Sequence, residues 1–140
     1  MKNATVALID SGPLIALFDA SDNFYTDVSR FIESFSGKLI STWPVITETL
    51  HLLSFSIEAQ GNFLEWIDRG ALDIENLHNS DIRYIKERMI KYSNLPMDLA
   101  DASLMCIAEK FKIYNIISID SDFNIYRTLK GKYLKNILHN

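Results

Sequence analysis

Four short apolar runs alternate along this chain with longer segments of helical periodicity. The runs cover residues 5–9, 38–41, 71–75 and 115–119. Short apolar runs separated by helical segments are typical of repeated β–α units around a parallel sheet. The first and last runs lack polar alternation, which indicates central strands covered on both faces. The pattern therefore predicts an α/β fold with a central parallel sheet.

The segments between the strands predict five helices. Apolar residues at i, i+4, i+7, i+8 and i+11 predict a helix that begins near Ser21 or Asp22 and ends at Gly37. A second helix is predicted from Trp43 to about Ser56, because Pro44 suits a first turn. Further helices are predicted at about 58–69, 79–92 and 97–111. The tail from Phe123 receives no assignment.

Composition indicates one globular domain over residues 1–140. Of these residues, 48% are hydrophobic and 23% charged, which argues against disorder. The lone Cys106 cannot form an internal disulfide, and no Cys/His cluster has zinc spacing, so we expect a protein of the reducing cytoplasm. No apolar run reaches the roughly 18 residues of a membrane span, and we expect no membrane partner.

The net charge of −4 is unevenly distributed along the chain. Residues 1–82 carry 12 acidic and 4 basic residues, whereas residues 83–140 carry 6 acidic and 10 basic ones. A basic half could offer phosphates a local face, although the two halves could also mix on the folded surface. The tail interleaves basic residues and tyrosines, which is compatible with an RNA-guiding surface, a solvated terminal face or a strand edge protected by lysines. Its residues are Tyr126, Arg127, Lys130, Lys132, Tyr133 and Lys135.

Acidic residues follow two of the predicted strands. Asp10 directly follows the first apolar run, at the strand edge where ligands bind in open α/β sheets, although it could instead cap the next helix. Asp120 and Asp122 follow the last run, where one is expected to face the site and the other to cap a turn. Ser118 is expected near the same edge.

Two more carboxylates lie on apolar helix faces. On a helical wheel Glu48 falls inside an apolar arc, although it could swing out to water from the edge of that arc. Asp101 projects between Met105 and Ala108 in a helix that is apolar on nearly every side. An N-cap role would explain Asp98 completely, but it does not explain the apolar neighbours of Asp101.

We expect these acids to converge, because parallel strands place their carboxyl ends at one edge of the sheet. Two like charges 4 Å apart repel by about 4 kcal/mol at an effective dielectric constant of about 20, so the cluster needs a cation. All the candidate ligands are oxygen donors, and none of His51, His78 and His139 lies in these segments. Oxygen sites favour Mg²⁺ or Mn²⁺ over zinc.

Four segments in order resemble PIN-domain ribonucleases of the VapC toxin type. They are IDS at residues 9–11, ITETL at 46–50, DLADASL at 98–104 and ISIDSDF at 117–123. The resemblance covers nearly the whole chain. It departs from the family pattern at Ser118, where threonine is more usual. The resemblance implies an acidic quartet of Asp10, Glu48, Asp101 and Asp120 that is both catalytic and metal-binding, supported by Ser11 and Ser118, with Asp98 and Asp122 as further outer residues.

The resemblance also implies a three-layer α/β/α sandwich and an endoribonuclease that uses one or two Mg²⁺ or Mn²⁺ ions. Such proteins are often homodimers and are often inhibited by an antitoxin encoded beside them. We expect single-stranded or loop RNA as substrate, because a flexible strand reaches a compact pocket more easily than a duplex does. Two alternatives remain open: a PIN-like binding module that has lost catalysis, and a receiver-like magnesium-binding signalling domain.

Overall fold

Five parallel strands form one sheet in the computed structural model, which describes residues 5–138. The strands are β1 (Val6–Ile9), β2 (Lys38–Thr42), β3 (Asp73–Glu75), β4 (Asn115–Ile117) and β5 (Lys135–Asn136). Their order across the sheet is β3–β2–β1–β4–β5, and every pair of neighbours is parallel. All the carboxyl ends therefore lie at one edge.

Strand β1 lies at the centre of the sheet, as its apolar sequence predicts. Leu8 pairs with Ile40 of β2 on one side and with Ile116 of β4 on the other. Ala7, Leu8 and Ile9 are completely buried. The backbone N–H of Asp10 donates to the carbonyl oxygen of Ile117 at 3.0 Å, so the ends of β1 and β4 are aligned.

Six α-helices complete a three-layer α/β/α fold of the PIN-like type. They are α1 (Ser11–Phe18), α2 (Tyr25–Ser34), α3 (Trp43–Leu52), α4 (Ile57–Asp68), α5 (Ile82–Lys91) and α6 (Leu99–Phe111). Helix α6 is buried along nearly its whole length, in agreement with its apolar sequence. Its Cys106 is a core residue, and burial raises the pKa of the thiol to about 11. No helix among residues 5–138 is long and apolar enough to cross a membrane.

The sequence analysis placed two helix boundaries wrongly. Helix α2 begins at Tyr25, because the Asp22 carboxylate accepts the N–H of Phe24 and closes a turn ahead of the helix. Helix α3 ends at Leu52 rather than near Ser56, because the Ser56 hydroxyl caps α4 by accepting the N–H of Ala59.

Other elements were missed or divided. Helix α1 and strand β5 have no counterpart in the sequence-based assignment. The segment predicted as one helix over 79–92 is a 3₁₀ turn at Asn79–Asp81 followed by α5, and β4 ends at Ile117 instead of residue 119. A second 3₁₀ turn covers Ser121–Asn124. His139 lies outside the described residues.

The strand order rules out the receiver-like alternative. Doubly wound receiver folds have the order 2-1-3-4-5, in which β1 lies between β2 and β3. Here β1 lies between β2 and β4, and β3 lies at one end of the sheet. The predicted central parallel sheet is therefore confirmed, whereas the receiver-like reading is wrong.

Candidate active site

Asp10 lies at the carboxyl end of β1 and is 6% exposed. It caps α1: its Oδ1 accepts the backbone N–H of Ser11 at 2.8 Å. Its Oδ2 accepts the hydroxyl of Ser118 at 3.3 Å. The capping role considered from the sequence is thus present, and the second oxygen faces the end of β4.

Glu48 approaches the same edge from α3. The side chain is half-buried, and its Oε1 accepts the Ser11 hydroxyl at 2.5 Å. Charge repulsion from Glu48 also acts on Asp10. The structure therefore turns Glu48 toward the protein, as the helical wheel predicts, and specifically toward the end of β1.

Helix α6 contributes Asp98 and Asp101. Asp98 is the N-cap, and its Oδ1 accepts the backbone N–H of Asp101 at 2.9 Å. Asp101 is 9% exposed, and its Oδ2 accepts the hydroxyl of Tyr126 at 3.1 Å. A buried carboxylate among apolar neighbours needs such a donor, and here the donor comes from the tail of the chain.

Asp120 follows β4 and is more exposed than the other members of the predicted quartet. Its backbone N–H donates to the Ser118 hydroxyl at 3.1 Å, and its Oδ1 accepts the N–H of Asp122 at 3.0 Å. Asp122 lies in the 3₁₀ turn that Asp120 caps. Partial burial and the charge of Asp120 raise the pKa of Asp122.

The carboxylates lie close enough together to perturb one another. Burial raises the pKa of Asp10 to about 7. The hydrogen bond from the Ser11 N–H, the next largest influence, lowers it, and repulsion from Glu48, Asp120 and Asp98 also raises it. Burial, followed by repulsion from Asp10, Asp98 and Asp120, raises the pKa of Asp101 to about 8, although the Tyr126 hydrogen bond opposes this. The structure therefore brings together the four acids of the predicted quartet, and Asp98 with them.

Two residues that contact the site were not recognised from the sequence. Every alternative drawn from the sequence for the tail leaves Tyr126 at the surface, but it is completely buried and hydrogen-bonds Asp101. Asn136 holds the end of β4: its Nδ2 donates to the carbonyl oxygen of Ser118 at 2.7 Å, and its Oδ1 accepts the Ser118 N–H. The spacing of Phe123 and Tyr126 on one face of a short turn is the signal that could have indicated burial.

The donor set fits a hard divalent cation. Within residues 5–138 none of these carboxylates is in a salt bridge with a lysine, arginine or histidine. The same region holds no preformed group of three histidine, cysteine, aspartate or glutamate side chains in metal-binding arrangement. Carboxylate oxygens are the ligands that Mg²⁺ and Mn²⁺ prefer.

The sequence is similar to a curated ribonuclease. It is 25% identical over 127 residues to Ribonuclease VapC26 of Mycobacterium tuberculosis, and the alignment covers 89% of this chain and 94% of that protein. No protein-family model matches the sequence.

Two solved structures have the same fold. The crystal structure of VapC20 of Mycobacterium tuberculosis, described as a sarcin-ricin loop cleaving toxin, matches with a TM-score of 0.78 at 18% identity over 86% of this chain and 94% of that one. VapBC2 of Rickettsia felis, solved bound to a DNA fragment from its promoter, matches with a TM-score of 0.61 at 12% identity over 94% and 98%. These similarities confirm the resemblance drawn from the four segments.

Proposed function

We propose that this chain, a PIN-domain protein of the VapC type, is a Mg²⁺- or Mn²⁺-dependent endoribonuclease and the toxin of a toxin–antitoxin pair. The observation that carries the proposal is the convergence of four acids from β1, α3, α6 and the end of β4 at one edge of the sheet. Burial and mutual repulsion raise the pKa values of two of them, as expected of a site built to receive a cation. Sequence similarity to a ribonuclease supports the same reaction.

Asp10, Glu48, Asp101 and Asp120 are the residues that would hold the metal. A divalent ion bound there would activate a water molecule and neutralise the charge that develops on the phosphate during hydrolysis. Asp120 is preferred over Asp122 as the ligand, because its charge acts on both Asp10 and Asp101.

The other site residues fix the carboxylates. Ser11 holds Glu48 close to Asp10, so Glu48 can bind the cation directly or orient the attacking water. Ser118 hydrogen-bonds Asp10, and the side-chain amide of Asn136 in turn fixes the Ser118 backbone. Asp98 holds the first turn of α6, which carries Asp101, and adds its negative charge to the site.

We propose that the substrate is single-stranded RNA or an exposed loop of structured RNA. A phosphodiester must reach carboxylates that are mostly buried, and a flexible strand does so at lower cost than an A-form duplex. VapC20, which has the same fold, is described as cleaving the sarcin-ricin loop. A hairpin with a long loop is therefore the first substrate to test.

Incubation of the purified protein with a mixed-sequence RNA panel tests this proposal. We expect cleavage within single strands and loops in the presence of Mg²⁺ or Mn²⁺, and none in EDTA. A fully paired RNA of the same sequence is the matched control and should remain intact. Cleavage that persists in EDTA would reject the metal mechanism. Complete inactivity on every RNA, with metal bound, would favour a catalytically silent binding module.

The similarity to VapC-type proteins also supports a proposal for the protein partners of this chain. VapBC2 is solved bound to a DNA fragment from its promoter, and this similarity supports a cognate antitoxin for this chain. We propose that the antitoxin is encoded by the neighbouring gene and that the chain forms a homodimer. Co-purification of the two gene products, with the mass measured by light scattering, tests both points. Loss of cleavage on adding the antitoxin is the expected result.

A further inference from the structure

Tyr126 is a completely buried tyrosine whose hydroxyl faces the candidate active site. The hydroxyl lies 3.1 Å from Oδ2 of Asp101 and 3.3 Å from the carbonyl oxygen of Leu95. A hydroxyl has one hydrogen, and an ionised carboxylate is a stronger acceptor than a carbonyl oxygen, so the hydrogen bond goes to Asp101 when that carboxylate is ionised, as it is when a cation binds. Among the side chains of residues 5–138, Tyr126 is the one that hydrogen-bonds this carboxylate.

The surroundings of Tyr126 hold its ring rigidly. The rings of Tyr92 and Phe123 pack edge-on against it, with centroids 5.1 and 5.3 Å away. The backbone of the next residue, Arg127, is held as well: its N–H donates to the Tyr92 hydroxyl at 2.8 Å. The buried Arg88 guanidinium donates to the Arg127 carbonyl oxygen at 3.4 Å. The hydroxyl is therefore a fixed donor.

The position of Tyr126 in the chain links two parts of the site. It follows the 3₁₀ turn that Asp120 caps, and its own N–H donates to the carbonyl oxygen of Asp122. Its hydroxyl then reaches across to α6. The hydrogen bond uses Oδ2 of Asp101, and Oδ1 stays available for a cation.

We propose that Tyr126 is a positioning residue whose hydroxyl holds the Asp101 carboxylate in the orientation that binds a divalent cation. This inference rests on the proposed metal-dependent function. Groups that orient metal ligands without touching the metal typically change metal affinity or activity by about 10- to 100-fold when they are removed. Tyr126 meets that description, because its hydroxyl contacts the Asp101 carboxylate and, among residues 5–138, hydrogen-bonds no other carboxylate of the site.

The test is Mn²⁺ binding measured by isothermal titration calorimetry on the full chain. We expect Tyr126→Phe, which removes only the hydroxyl, to weaken Mn²⁺ binding about tenfold or more. Tyr92→Phe is the matched control, because it removes a buried hydroxyl from the adjoining ring and loosens the same loop without touching Asp101. We expect its Mn²⁺ affinity to equal that of the wild type, with a melting temperature lowered as much as in Tyr126→Phe.

The outcomes separate the inference from the proposed function. Wild-type protein that binds no Mn²⁺ would overturn both. If the wild type binds Mn²⁺ and Tyr126→Phe binds it with the same affinity, the inference alone is overturned. It is also overturned if Tyr92→Phe loses as much Mn²⁺ affinity as Tyr126→Phe, because the loop would then act only structurally. In an Asp101→Asn background, Tyr126→Phe should cause no further loss of affinity, and a full additive loss would also contradict the proposal.

A measurement on the wild type avoids any dependence on how well the variants fold. With ¹³C-labelled tyrosine, the ring signals of Tyr126 should shift during an Mg²⁺ titration with the same midpoint as calorimetric binding. The signals of the exposed Tyr133 should stay constant. A Tyr126 signal that does not respond to saturating Mg²⁺ would overturn the proposal.

Discussion

The raised pKa values of Asp10 and Asp101 make the stability of the metal-free protein depend on pH. Burial and neighbouring charges raise these values to about 7 and about 8, from 3.8 in the absence of such effects. Each carboxyl thus binds its proton more tightly in the folded state than in the unfolded state. The resulting stabilisation is complete below about pH 4 and is lost as the pH rises through 7 and 8.

We predict that in EDTA the melting temperature of the wild type falls between pH 5 and pH 8.5, and that it falls less in Asp101→Asn. The asparagine cannot titrate, so the comparison removes the contribution of this group and retains all others. Differential scanning fluorimetry at several pH values measures both slopes. Identical slopes would show that Asp101 titrates normally. Mn²⁺ should reverse the trend, because it binds the ionised carboxylates and its affinity rises with pH.

Glu48 offers a separate test of the carboxylate cluster. Glu48→Gln keeps the volume and an oxygen that can accept the Ser11 hydroxyl, but it removes the charge. We predict a large loss of RNA cleavage with little change in melting temperature. The control is Glu87→Gln, an exposed residue of α5 that should keep full activity. Cleavage at the wild-type rate in Glu48→Gln would show that this glutamate plays no part in the reaction.

At the scale of single residues, the sequence allowed prediction of charged side chains that lie among apolar neighbours. Asp101 is conspicuous because it is charged and its helical neighbours are apolar. Tyr126 and Asn136 are not, because a tyrosine or an asparagine is compatible with either surface or core. Their contacts with Asp101 and Ser118 depend on how the tail folds back onto the sheet. The spacing of Phe123 and Tyr126 is compatible with burial of the tyrosine, but no local pattern indicates which residues these side chains contact.

Gly37 and Gly61 should respond oppositely to replacement by alanine. Gly37 lies between α2 and β2, and a Cβ there would collide with the Thr5 carbonyl oxygen, which accepts the N–H of Lys38. Gly61 lies within α4, with open space around the position of a Cβ.

We predict that Gly37→Ala lowers the free energy of unfolding by about 1–3 kcal/mol, because the backbone of the β1–β2 pair must shift. Gly61→Ala should raise it by about 0.5–1 kcal/mol, because alanine is the better helix former. Urea denaturation measures both. A neutral Gly37→Ala would mean that the start of β2 adapts without cost.

The tail forms an edge of the sheet and still carries exposed cations. Strand β5 is the outer strand beside β4, and Lys135 is its first residue. The Arg127 guanidinium stacks over the exposed Tyr133 ring at 5.2 Å. Such a pair can stack on an unpaired base, while the lysines attract phosphates.

We predict that replacing Lys130, Lys132 and Lys135 by glutamine weakens RNA binding and reduces its dependence on salt. Fluorescence anisotropy at several salt concentrations measures both, in a catalytically inactive background. The control replaces Lys86 and Lys91 of α5, which are equally exposed. Unchanged affinity and an unchanged salt slope would leave the tail lysines only the role of protecting a strand edge.

At the scale of elements, the sequence predicted strands better than helix ends. Continuous apolar runs identify β1 and β4, because central parallel strands are buried on both faces. Helix α1 was missed because Gly12 and Pro13 interrupt its pattern, although proline is tolerated in a first turn. Strand β5 has two residues, and each pairs with a residue of β4 that lies 20 positions earlier in the chain, so no local signal marks it.

At the scale of the whole molecule, the topology of the sheet brings together acidic residues that are distant in sequence. Asp10 and Asp120 are 110 positions apart, yet both follow neighbouring strands, β1 and β4, at one edge of a parallel sheet. The parallel topology could be predicted from the alternation of elements, and with it the convergence of the acids. The order of the strands could not, because it depends on how the helices pack. That order distinguishes this fold from the receiver-like one.

The rate of RNA cleavage in three aspartate variants tests the central claim most directly. With a loop-containing RNA and saturating Mn²⁺, we predict that Asp10→Asn and Asp101→Asn each lose nearly all activity and remain folded. Asp98→Asn should lose much less, because asparagine can still cap α6. Full activity in Asp101→Asn, or an equal loss in all three variants, would contradict a metal-dependent ribonuclease site built on Asp10 and Asp101.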